Sequence, residues 1–426
     1  MLAWPPPELL EPVLPRTVTQ HVWAGGCCGL GHRTLRLLKL YVFAISRNRH
    51  VVVDWGACVG TSVSNIYARL FSDWNEVAAV KTGPRGNAAH DLRAPACRPS
   101  GSCRDKRDFA ARSPESLFEN EPPRYWFPPG MEGRVRRYAR WAPHLVIDES
   151  DGSAAGDAVL FRKEEWGMAM VHRDVFPLAE RFAAQAVASL RGEWRAPLDD
   201  FVEQEFAGPA PVVGVHFRFG NGERFRRKPR NVTHVVLRTA AAVAKLAASL
   251  GFRRYRVFVA TDDEAAIDVL RAQTDLDVVA RDQWRPPRGG GVHFSTWRAT
   301  QTGLGTAKSL AAQRDMTERK SGAACVRNSA DMLLDALLLA FADALVLPVP
   351  STFTVLPKVI AHSRGVPYCA FFGQGWHAPD LHRHPASMTC FRRHAATGRV
   401  ADWTVDVEAE GDQAGLLGAS FWSPST

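Results

Sequence analysis

The clearest pattern in the chain is an alternation of short apolar runs with longer amphipathic stretches through its second half. Val212-Val213-Gly214-Val215-His216-Phe217 is almost continuously apolar and predicts a buried strand. It breaks into Arg218-Phe219-Gly220-Asn221-Gly222-Glu223, where glycines end the strand and let the backbone approach a ligand. A helix is predicted over 232–250, rich in alanine and ended by Gly251. A strand over 256–260 leads into Thr261-Asp262-Asp263-Glu264, where Asp262 is expected to cap the next helix. Residues 276–280 predict a shorter strand, and 331–342 a strongly apolar helix with Asp331 at its start and Asp335 as the one acid inside it. A strand over 344–347, a turn at Pro350-Ser351-Thr352-Phe353, a helix to Ile360 and a strand over 367–371 complete the series. Strands alternating with helices imply a parallel sheet covered on both faces.

The first half is less regular. The glycine-rich stretch from Gly25 to His32 leads into a helix over 35–45 and a strand at Val51-Val52-Val53-Asp54-Trp55, one α/β unit. Gly29-x-Gly31-x-x-Thr34 is a near miss to a dinucleotide fingerprint and reads equally as a tight turn. Residues 75–129 look like a long insertion. It ends in Arg124-Tyr125-Trp126-Phe127-Pro128-Pro129, whose rings suit either a core or the face of a sugar. A helix is expected to about Leu190, interrupted by Trp194-Arg195-Ala196-Pro197. Gly208-Pro209-Ala210-Pro211 is a strong breaker, which places an N-terminal α/β domain at 17–207 and a second domain at 208–380. An irregular crossing is expected over 281–324, and 381–426 reads as a tail without pattern.

Composition narrows the function. At 426 residues and 46% apolar content, two cores are the expectation. No apolar run approaches the roughly 18 residues of a membrane span, and the proline-rich start does not resemble a secretory signal, so a cytoplasmic location is expected. The formal charge of +9 favours anionic partners. No nucleic-acid-binding signature accompanies it, arginine is spread along the whole chain so that much of the charge reads equally as a habit of composition, and a small phosphorylated donor is the alternative anionic ligand. The eight cysteines form no metal or redox spacing and read as buried free thiols, with Cys97 and Cys103 a candidate pair in an oxidising compartment.

Polar groups sit where a doubly wound sheet gathers them: Arg218 with Asn221, Asp262 with Asp263, Asp335, and Ser351-Thr352. Ser351-Thr352 precedes a helix and suits either a phosphate or a simple cap. A lone carboxylate in an apolar helix, Asp335, has to be paired or bind something polar. Arg218 suits a departing diphosphate, and reads equally as a solvated loop residue. No nucleotide-hydrolase loop is present, since Gly305-Thr306-Ala307-Lys308-Ser309 lacks the glycine before its lysine, and no metal cluster stands out.

His216-Phe217-Arg218-Phe219-Gly220-Asn221-Gly222-Glu223 resembles the H-x-R-x-G-N-G-E motif of bacterial nodulation-factor fucosyltransferases, relatives of the eukaryotic core α-1,6-fucosyltransferase. Further elements resemble the family in the same order: Gly29-Leu30-Gly31, the Val-Asp-Trp strand at 53–55, Ala260-Thr261-Asp262, and Asp335 through Asp343 to Ser351. The resemblance implies two Rossmann-like domains in a GT-B-like glycosyltransferase that uses GDP-fucose and a glycan acceptor, with no cofactor or metal. It implies that Arg218 and Ser351, with neighbouring Thr352, meet the donor diphosphate. Asp262, Asp263 and Asp335 would hold the guanosine and ribose side, with His216, Gly220 and Asn221 in the donor site. Basic Arg226 and Arg227 stand where the core enzymes place a proposed base, which leaves Glu223 as the candidate. A protein O-fucosyltransferase and a nucleotide-sugar-binding protein without catalysis are the alternatives.

Overall fold

The computed structural model describes residues 4–14, 21–25, 30–46, 50–55, 65–79, 144–146, 176–219, 232–285, 322–347, 351–371, 387–393 and 400–406. The aromatic stretch at 124–129, the glycine-rich loop at 26–29 and Cys97 with Cys103 lie outside them. The protein is mixed α/β with parallel sheets, and its contacts divide it into two compact units, each described separately.

The first unit spans Ala3–Arg195 and Glu318–Ala330. Its described strands are β1 (His21–Gly25), β2 (His50–Asp54), β3 (Val77–Ala79) and β4 (His144–Val146), all parallel in the order β3-β2-β1-β4. Strand β3 falls inside the stretch expected to be insertion. Helix α1 (Leu30–Ser46) joins β1 to β2 and buries Leu35, Leu38 and Tyr41. A short helix α2 (Ile66–Leu70) is capped by buried Asn65, which accepts from Tyr67 N at 3.1 Å and donates to Val53 O at 2.8 Å, so one side chain fixes the exit of β2. Helix α3 (Phe176–Ala188) ends where Leu190 bridges to Phe71 and Arg191 N donates to Leu70 O, so the break comes before Trp194. Pro197 lies inside the next helix, α4 (Gly192–Phe201), and forgoes one backbone bond there.

The second unit comprises Met1–Leu2, Ala196–Thr317 and Asp331–Thr426. Its strands are β5 (Val212–Phe217), β6 (Arg256–Thr261), β7 (Asp277–Val279), β8 (Ala344–Leu347), β9 (Tyr368–Phe371), β10 (Ser387–Arg393) and β11 (Val400–Asp406). They lie in the order β11-β10-β9-β8-β5-β6-β7, with β9 to β7 parallel and β10 antiparallel to both its neighbours. The tail, featureless as sequence, therefore supplies two strands. Helices α5 (Val232–Ser249) and α6 (Glu264–Gln273) link the strands on one side of β5, and α7 (Gly322–Phe341), which lies in this unit from Asp331 onward, and α8 (Val355–Ser363) belong to the other. All six residues of β5 are buried, as expected for a central strand covered on both faces. Gly214 is required within it. A Cβ there would lie 2.8 Å from Leu345 Cδ2 and 3.1 Å from both Ala342 Cβ and Leu339 Cδ2.

Further sequence expectations change. Helix α7 begins at Gly322, well before Asp331, because burial of Val326 and Ala330 outweighs the weak helix preference of Asn328 and Ser329. The cysteines among the described residues are disulfide-bonded and not free thiols. Cys369 and Cys390 face each other across β9 and β10 and bond covalently, closing 21 residues, a constraint worth about 3 kcal/mol in the chain-entropy view. Their spacing in sequence gives no hint of this, since the register of two strands creates the pair. No helix among the described residues is long and apolar enough to cross a membrane.

Candidate functional site

The strand after β5 in sequence, β6, lies on one side of it, and the next to pair with it, β8, lies on the other. This is a topological switch point, and the carboxyl ends of β5 and β8 are where such sheets hold ligands. His216 and Arg218 stand at the end of β5, and Ser351 and Phe353 lie in the segment that follows β8.

Arg218 immediately follows β5. Its Nη1 donates to Asp262 Oδ2 at 2.8 Å, and the neighbouring Phe219 N donates to Asp262 Oδ1 at 2.8 Å. The register explains the meeting: Phe217 pairs with Thr261 in the β5–β6 ladder, so Arg218 and Asp262 are the next residues along two parallel strands. Asp262 is buried and the Arg218 side chain is 18% exposed. The adjacent carboxylate has a different task. Asp263 Oδ1 accepts from Ala265 N at 3.1 Å and caps α6, so Asp263, and not Asp262, is the cap.

His216 is buried, and its ring stacks on Phe353 at 4.8 Å with 18° between planes. The stack joins the end of β5 to the segment after β8. Ser351 leads that segment: its Oγ accepts from Phe353 N at 3.3 Å, and its carbonyl accepts from Thr354 Oγ1 at 2.8 Å. Thr352 lies in the same 3-10 turn, with its side chain outside the described residues. Gly220, Asn221 and Glu223 lie outside them as well.

Asp335 is engaged by the protein itself. It shares a face of α7 with Asp331, one turn earlier, so it is not the one acid within the helix, and Asp331 is not at the helix start. Arg281 bridges the two carboxylates, donating from Nη2 to Asp331 Oδ1 at 2.8 Å and from Nη1 to Asp335 Oδ1 at 3.4 Å. Gln283 Nε2 donates to Asp335 Oδ2 at 2.5 Å. Arg285 reinforces the segment through Glu264 at 2.6 Å and the Arg281 carbonyl at 3.1 Å. Sequence reading missed Arg281 and Gln283 because they open a stretch without periodicity, and it missed Phe353 because a turn aromatic gives no local signal. The position of Arg281 just beyond a strand was the available clue.

Burial pushes the Asp335 carboxyl up to about 6, against the opposing pull of Arg281, Arg285 and Gln283. A raised folded-state value contributes stability that is present below the ordinary carboxylate value near 3.8 and is lost as pH rises through about 6. His362 acts in the opposite sense. Burial, with help from Arg393, lowers it to about 4, so its contribution is present above 6.5 and lost as pH falls through about 4. Asp335→Asn isolates the first effect. Urea titrations between pH 4 and 7 should show the variant close to wild type at the acid end and progressively more stable relative to it as pH rises through 6. A pH-independent difference would contradict the assignment.

Among the described residues, no group of three or more His, Cys, Asp or Glu side chains is placed to hold a metal. No protein-family model matches the sequence, and no curated protein matches it. Solved structures do resemble it. The fucosyltransferase NodZ from Bradyrhizobium aligns at 18% identity and a TM-score of 0.47, covering 88% of this chain and 99% of that one. A mutant of Arabidopsis thaliana FUT1 in complex with GDP aligns at 13% identity and a TM-score of 0.46, covering 85% of this chain and 72% of that one. The apo form of POFUT1 aligns at 14% identity and a TM-score of 0.42, covering 84% of this chain and 99% of that one.

Proposed function

We propose that this protein is an inverting glycosyltransferase of the GT-B type that moves L-fucose from GDP-fucose to an N-acetylglucosamine-containing oligosaccharide, in α-1,6 linkage. The observation that carries the reading is the placement of Arg218. It directly follows the central strand at the switch point of a parallel sheet, is held by a buried carboxylate, and stands within the His216-to-Glu223 motif. An acceptor hydroxyl attacks the anomeric carbon of fucose, the bond from that carbon to the β-phosphate oxygen breaks, and GDP leaves with the electron pair. Negative charge grows on the diphosphate as it departs, and a positioned guanidinium stabilises that charge more than the ground state. Ser351, ahead of α8, supplies a hydroxyl beside backbone N–H groups, an arrangement suited to the same phosphates. Glu223 is the proposed base for the acceptor hydroxyl. His216 and Phe353 form an apolar, aromatic wall of the donor site, and Asp335 takes the guanosine side by exchanging its protein donors for those of the base.

GDP-fucose is also the compound soaked into crystals of NodZ. Incubation with GDP-fucose and chitin oligosaccharides, followed by mass spectrometry, should show the mass increment of one fucose. A protein acceptor in the same screen separates the O-fucosyltransferase alternative. Transfer should survive EDTA, since the reading assigns the diphosphate to Arg218 and not to a metal. Absence of both transfer and GDP-fucose binding would overturn the proposal.

A further inference from the structure

We propose that Asp262 is a positioning residue that aims the Arg218 guanidinium at the donor diphosphate and does not itself contact the nucleoside. The inference rests on the reading of Arg218 given above. Both carboxylate oxygens of Asp262 are committed to one stretch of chain, Oδ2 to Arg218 Nη1 and Oδ1 to Phe219 N, each at 2.8 Å. The carboxylate therefore holds the side chain and the backbone of the same strand end together.

Three features make this a device for orientation. First, a guanidinium carries five donors in one rigid plane, so fixing one of them at a defined point fixes the direction of the rest. Second, Asp262 is itself held. It is buried at the end of β6, and the residues on either side are tied by Asp263 N donating to Thr261 Oγ1 at 3.1 Å and by Asp263 capping α6. Third, the anchor reaches across two adjacent strands whose ladder is paired up to the preceding residue, so the geometry is set by the rigid sheet. A long arginine placed by a loop alone would lose rotamer freedom on meeting each donor, and Asp262 removes that cost beforehand.

The test reads β-phosphate recognition separately from nucleoside recognition. Affinities for GDP and GMP are measured by calorimetry on wild type, Arg218→Ala, Asp262→Ala, Asp262→Asn and the Arg218→Ala/Asp262→Ala double variant, with circular dichroism and melting as the check on folding. Wild type should prefer GDP over GMP by tenfold or more. Arg218→Ala should abolish the preference, and Asp262→Ala should remove most of it while changing GMP affinity little. The double variant should be no worse than Arg218→Ala alone, since the two residues act as one unit. Asp262→Asn keeps an acceptor for Phe219 N and should recover part of the preference, which also covers the case in which the alanine variant does not fold. Equal weakening of GDP and GMP by the Asp262 variants, or losses that add in the double variant, would overturn the inference and make Asp262 a direct ligand contact. A wild-type protein that binds neither nucleotide would sink the reading of Arg218 as well, an outcome distinct from a preference lost in Arg218→Ala but kept in Asp262→Ala.

Discussion

Replacing Arg218 by alanine is expected to lower kcat/KM for fucosyl transfer by about 10²- to 10³-fold, the scale on which removing one preorganised charge-stabilising donor acts. The loss should appear mainly in kcat, because the charge that Arg218 meets grows as the diphosphate departs. Folding should persist. Asp262, the buried partner left behind, keeps its bond from Phe219 N at 2.8 Å. Arg218→Lys restores a charge without the planar fork, so it should recover only part of the activity. Steady-state kinetics with a saturating acceptor, alongside melting curves, check both statements. Near-normal turnover in Arg218→Ala would remove this residue from the site.

Gly214→Val should have the largest effect on the fold. A Cβ at 214 already lies 2.8 Å from Leu345 Cδ2, and Leu345, Leu339 and Ala342 are all fully buried, so the displaced atoms have nowhere to go. Gly214→Ala should cost about 1–3 kcal/mol by overpacking, and the two further methyl groups of valine should exceed that range. Against a total stability of about 5–15 kcal/mol, the valine variant should leave the second unit largely unfolded at growth temperature. Urea midpoints for both, with Gly208→Ala as a neutral control where nothing lies within 4 Å of the added atom, check the gradient. GDP binding should disappear with the fold, since β5 carries Arg218.

The elements that position the site were legible because their signals are local. The strand from Val212 to Phe217 is an apolar run ended by a charged and glycine-rich stretch, and it is a strand with those limits. The helices α5, α6 and α8 follow from period and breaker residues in the same way. The misreadings also have a common cause. Helix α7 starts earlier than its apolar stretch because packing outweighs weak propensity in its first turns. Pro197 reads as a break but lies inside α4, and the actual break is made by Leu190 and Arg191 pairing with a distant segment near Phe71. The two tail strands lacked a pattern strong enough to read alone, and they form by pairing onto β9.

Local pattern alone specified a parallel α/β sheet in the second half and put Arg218 at the end of its most apolar strand. It did so because burial on both faces forces a continuous apolar run, and a charged residue beyond it has to lie where the strand stops. What each charged group meets depends instead on how distant segments pack. Asp262 and Asp263 are adjacent and chemically identical, yet strand register gives one to Arg218 and helix geometry gives the other to α6. Asp335 finds Arg281 across 54 residues, and Cys369 finds Cys390 across 21. Such pairings depend on which elements lie side by side, and that is fixed by packing between segments far apart in the chain.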